Sequence, residues 1–403
     1  MHSKILLLIC YNTVMFGQLP FTEHKIANFS DGDGEKTIHA SDLDRDGDID
    51  ILSSTTYDDK IYWYKNNGSQ GFTKLTIATN TYDPSSIFTI DLDQDGDIDV
   101  LSGAHNETYP KVAWHKNDGN ENFSSYTISS DKTESVYAID LDQDGDIDVI
   151  AADPSTGVIW HENNGSQSFT RTVVSAPIGE YSSGSSTFYL GSSVFAIDLD
   201  SDGDNDILAT HRIGGQVVWY ENDGAANPSF TANNIGSENG VNSIYAIDLD
   251  QDGDMDVLTA NGSDSKVRWY ENDGAANPSF TAHIIATNLW NTLRVHAIDM
   301  DGDGDLDVTS VGYSDKKIAW FENDGSQNFS YWFINNLERP YGSYPIDVDS
   351  DGDMDLVTSG KEAVAWYENT MDKGMIGSWT AADIATSADG ANSVFAADMD
   401  NDG

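Results

Sequence analysis

Basic residues are scarce in this chain: 20 Lys and Arg stand against 68 Asp and Glu, a net charge of −48. That deficit argues against nucleic acid or an anionic membrane surface as a partner, because both are held by cationic patches. Cysteine is scarcer still. Cys10 is the only one, so no disulfide framework braces the fold. Beyond residue 20 no apolar run reaches membrane-spanning length, and no segment shows convincing helical periodicity. Aromatic residues, by contrast, are plentiful, with 10 Trp, 18 Tyr and 15 Phe. A disordered acidic chain is poor in aromatics, so this one folds.

The first residues, "MHSKILLLICYNTVMFGQLP", place Lys4 before an apolar stretch from Ile5 to Phe16. This pattern predicts a secretory signal peptide over 1–17, and hence a secreted or cell-surface protein without membrane insertion. Cys10 would leave with the signal. Bracing of the exported chain must then come from something other than disulfides.

Self-similarity organises the remainder, 18–403. A phrase such as "DLDQDGDID" begins at Asp42, Asp91, Asp140, Asp198, Asp248, Asp299 and Asp347, and a partial copy begins at Asp398. A tryptophan follows each full start by about 20 residues: Trp63, Trp114, Trp160, Trp219, Trp269, Trp320 and Trp366. A later aromatic opens a fourth segment at Phe72, Phe123, Phe169, Phe230, Phe280, Phe329 and Trp379. Each unit holds four short runs with period-two alternation, separated by Asn, Asp, Gly and Ser. Four strands per roughly 50 residues, repeated, predict an all-β protein: a β-propeller of four-stranded blades, seven complete repeats plus a partial eighth. The tryptophans read as core between blades. "FTEHKIA", from Phe21 to Ala27, reads as a fourth strand with no blade of its own. The incomplete copy at the other end suggests that the two ends share an eighth blade and that the chain is truncated. Seven blades with overhanging strands is the other reading.

Five aspartates in nine residues repel one another, and a cation among them removes that repulsion. Calcium takes six to eight hard oxygen ligands, and Asp at alternate positions with Gly at position six lets a loop wrap it. The expected ligands are the side chains at positions one, three, five and nine and the carbonyl at position seven. They fall on Asp42, Asp44, Asp46, Asp48 and Asp50 in the first unit and Asp91, Asp93, Asp95, Asp97 and Asp99 in the second. The third and fourth units offer Asp140, Asp142, Asp144, Asp146 and Asp148, then Asp198, Asp200, Asp202, Asp204 and Asp206. The fifth offers Asp248, Asp250, Asp252, Asp254 and Asp256, and the sixth Asp299, Asp301, Asp303, Asp305 and Asp307. The seventh offers Asp347, Asp349, Asp351, Asp353 and Asp355. Apolar residues at positions two and eight would anchor each loop, except that Asn205 takes position eight in the fourth unit. An EF-hand is excluded, because position twelve is Ser, Ala or Thr throughout and the flanks alternate as strands. Magnesium is disfavoured, since a crowded carboxylate cage suits the larger ion. About one Ca²⁺ per complete repeat is expected.

These loops, together with a late "NDG…F" as in "NDGAANPSF", make the chain resemble the FG-GAP/VCBS repeat family, whose best-known relative is the N-terminal propeller of integrin α-subunits. The resemblance spans about 21–403, and the VCBS-like bacterial branch fits better than integrin itself. It implies that the calcium loops share one face. It also implies that ligands meet the opposite face, formed by loops between strands two and three and between blades. Relatives bind proteins or glycans, and some are attached to enzymes.

Three functional readings follow. The first is a non-catalytic binding or adhesion module for a glycan or protein. Tyr82, Tyr109, Trp290, Tyr313 and Tyr341, with the long connection 175–193, would lie on its loop face. The second is a non-catalytic spacer or accessory domain of a larger surface protein or polysaccharide-degrading enzyme. The third is an enzyme in its own right, for which the sequence offers no convergent acid–base set. His115 and His161 read as framework, and His105 and His211 fall in loop-face connections without a recognisable constellation.

Overall fold

In the computed structural model the described residues are 21–29, 35–56, 58–106, 111–154, 156–174, 193–211, 215–238 and 240–371, with two short strands at 182–183 and 186–187. The expected signal peptide, Tyr109, Trp379 and the partial copy at Asp398 lie outside them, as does most of 175–192. Strands are the only regular elements among the described residues.

There are seven four-stranded antiparallel sheets, six of them simple meanders and the seventh completed by the N-terminal strand. The third blade shows why its residues take these places. Its first strand, Ser135–Ile139, alternates half-buried and buried residues, because one side faces the ring axis. The second, Asp148–Asp153, is buried throughout, and the third, Gly157–Asn163, nearly so. Both are covered on two faces by neighbouring blades, which is why they read as continuous apolar runs. The fourth, Phe169–Val173, lies mostly exposed at the rim.

Each core belongs to two blades. Ile150, Val158 and Trp160 of the third blade pack with Val194, Ile207 and Tyr220 of the fourth. All seven repeat tryptophans are buried, as the inter-blade reading requires. The aromatic that opens a fourth strand packs back under the tryptophan of the preceding blade. Phe123 meets Trp63 edge-on at 6.2 Å, and Phe230 meets Trp160 at 6.3 Å.

Ring closure corrects the eight-blade expectation. The N-terminal strand Phe21–Asn28 pairs antiparallel with Ala363–Asn369 and completes the seventh blade. Phe21 sits opposite Asn369, as Phe123 sits opposite Asn117 and Phe280 opposite Asn272. Phe21 also packs on the core that holds Trp320. It therefore takes the place expected for Trp379. The first and seventh blades share a core through Ile38, Ile51, Val357 and Trp366. Seven blades close the ring because the open edge of Ala363–Asn369 is filled from the other end of the chain, which leaves no unpaired edge there.

Candidate functional site

Every acidic loop joins the first and second strands of its blade, so all seven lie at one end of the ring. Two left-handed residues bend each loop. Gly96, at position six, has φ +103°, as the sharp turn demands. Position four is also left-handed, at Gln94 with φ +56° for example. The sequence reading did not assign it this role. Three position-four glutamines also stitch blades together. Gln94 Nε2 donates to the Gly145 carbonyl at 2.6 Å, Gln143 Nε2 to the Gly203 carbonyl at 2.5 Å, and Gln251 Nε2 to the Gly304 carbonyl at 2.6 Å.

Position nine is the pivot. Asp50 is fully buried, and its Oδ2 and Oδ1 accept the N–H groups of Leu43 (3.2 Å) and Asn66 (2.8 Å). The same pair of bonds recurs at Asp99, Asp148, Asp206, Asp256, Asp307 and Asp355. The Trp63 indole favours the Asp50 carboxylate electrostatically but makes no hydrogen bond of regular geometry. Burial lifts Asp50, Asp148, Asp206, Asp256 and Asp355 to about 7, Asp99 to about 6 and Asp307 to about 8. A cation would reverse that penalty by favouring the charged form.

Positions one and three complete a cage with position nine. Carboxylate oxygens of Asp42, Asp44 and Asp50 lie within 4.8 Å of one another, as do those of Asp91, Asp93 and Asp99. So do those of Asp140, Asp142 and Asp148, of Asp198, Asp200 and Asp206, and of Asp248, Asp250 and Asp256, and two further acidic groups meet the same distance. Several cage oxygens are buried without a hydrogen-bond partner, among them Oδ1 of Asp42, Asp91, Asp140, Asp248 and Asp347. Orphaned buried carboxylate oxygens are costly, and their convergence fits a metal ion. The position-one side chain also closes the loop, since Asp91 Oδ2 accepts the N–H of Gly96 at 2.9 Å.

Positions five and seven lie outside the three-carboxylate group. Asp95 Oδ1 accepts the N–H of Asp97 at 3.0 Å. The Asp97 carboxylate packs against the "NDG" turn, where a Cβ on Gly119 would come within 2.5 Å of it. That contact accounts for the glycine of "NDG" in this blade. Position two anchors as expected, with Leu43, Leu92, Leu141, Leu199, Leu249, Met300 and Val348 all buried. Asn205, the exception at position eight, instead donates from Nδ2 to the carbonyl of Asp140 in the third blade's loop at 2.9 Å.

Sequence reasoning missed the asparagine that ends each third strand. Besides binding position nine, Asn272 donates from Nδ2 to Met255 of its own loop and to Leu199 of the preceding blade's loop. Asn117, Asn222 and Asn369 do the same. Its recurrence after every tryptophan was the available signal.

A family model described as an FG-GAP-like repeat matches residues 42–102, 91–151, 140–209, 198–259, 248–310, 299–358 and 347–403. The chain belongs to the FG-GAP-like repeat family. Solved structures resemble this FG-GAP propeller in fold at low identity. One is an Agrocybe aegerita lectin that recognises non-reducing terminal N-acetylglucosamine. It is 19% identical with a TM-score of 0.52, and the match covers 75% of this chain and 81% of the lectin. Two structures of BBS1N in complex with ARL6DN are 9% and 10% identical, with TM-scores of 0.55 and 0.57. Each match covers 87% of this chain and 97% or 98% of the other. No curated protein matches the FG-GAP chain.

Loops between second and third strands and between blades gather at the end opposite the acidic loops. There Trp290 is 65% exposed. The rings of Tyr313 and Tyr341 meet at 5.3 Å, and the Arg339 guanidinium lies 5.8 Å from the Tyr313 ring. The N–H of Ser314 donates to the Trp290 carbonyl at 3.1 Å and so brings the tryptophan's loop alongside Tyr313. Three of the five expected loop aromatics thus cluster around the sixth blade. The four histidines singled out from the sequence lie within the framework. His115 bonds Ser102 (2.9 Å) and Ser125 (2.8 Å), and His211 bonds the Tyr220 hydroxyl at 2.9 Å. His161 is buried, with Asp131 at 3.8 Å, and His105 Nδ1 lies 3.0 Å from Glu134.

Proposed function

We propose that the chain is a secreted, calcium-braced propeller that acts as a non-catalytic binding or adhesion module for a glycan or protein. The ligand meets the face opposite the acidic loops. The observation that carries this reading is the cluster of Trp290, Tyr313, Tyr341 and Arg339. Flat aromatic faces beside a guanidinium suit sugar rings or a peptide surface. A lectin and a protein-bound propeller of the same fold support it. The all-oxygen carboxylate cages support calcium over softer ions, with positions one, three and nine as side-chain ligands. The position-five carboxylate and position-seven carbonyl would complete the shell. When bound, the ion would offset carboxylate repulsion and fix the loop. The apolar run within 1–17 supports export. The framework bonds of His115 and His211 support the non-catalytic reading.

Glycan-array and pull-down measurements on the wild type and on Trp290→Ala test the proposal. A ligand captured by the wild type and weakened at least tenfold by the substitution is expected. Capture of no glycan and no protein, or binding indifferent to both Trp290→Ala and Tyr341→Ala, would remove the reading.

A further inference from the structure

The axis of the ring holds a site that the loop cluster does not use. Three residues before each acidic loop the first strand places an aromatic ring on the axis: His39, Phe88, Tyr137, Phe195, Tyr245, His296 and Tyr344. Neighbouring centroids are 4.8–5.8 Å apart all the way round, and His39 closes on Tyr344 at 4.8 Å. This girdle narrows the channel.

Residues two positions apart on a strand share a face, so the tiers on either side of the girdle can be read directly. Toward the acidic loops stands isoleucine in six of seven blades, from Ile90 to Ile346. Toward the opposite face stand hydroxyls, at Thr37, Ser86, Ser135, Ser193 and Ser243, followed by Arg294 and Gly342. A cavity of about 450 Å³ is lined by the hydroxyl and aromatic tiers and reaches the isoleucine tier only at Ile298. Its volume is within the usual range of small-ligand pockets, roughly 300–1,000 Å³.

Its polar groups are unevenly satisfied. The Oγ of Ser86 accepts the Val136 N–H at 3.1 Å, and that of Ser135 accepts the Val194 N–H at 3.4 Å. Among the described residues neither hydroxyl has an acceptor for its proton, so each can donate into the cavity. Arg294 gives one hydrogen bond, to the carbonyl of Leu293 at 3.1 Å. Among the described residues no carboxylate pairs with it in contact. Glu134, also in the lining, acts on it only through space and is itself bonded to His105. His296 Nδ1 and Ser343 Oγ, both in the lining, are buried without partners. A largely unpaired guanidinium over an aromatic floor with hydroxyl donors is complementary to a carboxylate borne on a hydroxylated ring. The acidity of the whole chain narrows the choice further. At net −48 a polyanion is repelled, whereas a single carboxylate can reach one local cation.

We propose that this axial pocket binds one hexuronate ring, free or at the end of a glycan, with its carboxylate on Arg294 and its ring over the aromatic girdle. The site is independent of the loop cluster, so a binding defect of Trp290→Ala bears on that cluster and not on the axis.

Titration calorimetry of the whole chain with D-glucuronate, D-galacturonate, D-glucose and glucose 6-phosphate tests it. One hexuronate site per chain is expected, with glucose and the dianionic phosphate at least tenfold weaker. Arg294→Gln should weaken the hexuronate by about ten- to a hundredfold, the range of a lost charged hydrogen bond. Arg171→Gln removes a rim cation paired with Asp131 and should leave the affinity unchanged. Should Arg294→Gln not fold, Ser193→Ala, which removes one lining hydroxyl, should weaken binding about three- to tenfold. The proposal is overturned if no hexuronate binds, if glucose binds as well, or if Arg171→Gln and Arg294→Gln lose affinity equally. Indifference to both Arg294→Gln and Ser193→Ala overturns it too.

Discussion

In the first two blades the second residue after the core tryptophan is lysine; in the other five it is glutamate. The side chains point the same way, toward the position-three aspartate, with opposite consequences. Lys65 pairs with Asp44 and with Glu121 (2.5 Å), and Lys116 pairs with Asp93 and with Asp95 (2.9 Å). Those carboxylates raise both lysines above their ordinary range. In the third to seventh blades Glu162, Glu221, Glu271, Glu322 and Glu368 add negative field instead. Asp142, Asp250 and Asp349 are raised, and Asp200 and Asp301 reach about 6, by burial first and then by neighbouring carboxylates. Four of the glutamates are held from behind by the fourth strand: Glu221 by Asn233 (3.0 Å), Glu271 by His283 (2.7 Å), Glu322 by Trp332 (2.5 Å) and Glu368 by His24 (2.7 Å). Two loops therefore carry a built-in counter-ion, and five are left to an external one. Identical nine-residue phrases need not be equal sites.

The largest effect should come from taking the external cation away. Occupancy at a hundredfold excess over Kd stabilises by about 2.7 kcal/mol per site, so chelation should lower Tm steeply. In hydrogen exchange the acidic loops of the third to seventh blades should lose more protection than those of the first two. An equal Tm in EDTA and in millimolar calcium would end the metal-braced reading, and uniform loss of protection would end the comparison.

Next in size is an exchange of the two residue types. Lys116→Glu should make the second blade resemble the fifth and raise its calcium affinity by about tenfold, as expected for reversing one partly screened charge beside the ion. Glu271→Lys should do the opposite in the fifth blade. Calorimetric titration should count five tight sites in the wild type, six in Lys116→Glu and four in Glu271→Lys. A count that does not follow the substitutions sinks the assignment.

The acid dependence should be abolished by the metal. In the metal-free protein the folded pKa of each position-nine aspartate lies above its unfolded value near 4. The folded state therefore holds protons that the unfolded state has released. Stability from this source is complete below about pH 4 and is lost as pH rises through about 7. In EDTA, Tm should fall between pH 5 and 8. In saturating calcium it should be nearly flat over the same window, because the ion displaces those protons and neither state then binds them. Parallel curves with and without calcium would contradict this.

Much of the architecture was legible because the repeat is written in residues with distinct jobs. The tryptophans, the turn glycines and the aspartates at positions one, three and nine all stand where spacing put them. Closure was legible only in part: the N-terminal strand was expected to share a blade with the other end of the chain, but an eighth blade and not the seventh. Phe21 was recognised as belonging to a fourth strand, but its pairing with Asn369 joins opposite ends of the chain and leaves no local trace. The Lys-or-Glu column was visible too, yet its aim at the cage depends on which face of the third strand it occupies. The axial aromatics alternate His, Phe and Tyr, so no single letter repeats to attract notice.

The smallest effect should come from Asn205. It replaces the apolar residue that the other loops carry at position eight, and its Nδ2 ties the fourth blade to the Asp140 carbonyl of the third. Asn205→Ile would restore a half-buried apolar contact while leaving that carbonyl without its donor. A neutral hydrogen bond contributes about 1 kcal/mol net, and a partly buried side chain recovers a similar amount. The two nearly cancel, so Tm should stay within about 2 °C. The loops on either side should nevertheless lose their coupling. In a double substitution, Asp142→Asn with Asn205→Ile, the costs should add, whereas Asp142→Asn with Asn205 intact should also weaken calcium binding in the fourth blade. If Asp142→Asn affects the fourth blade equally in both backgrounds, the Asn205 contact does not transmit between blades.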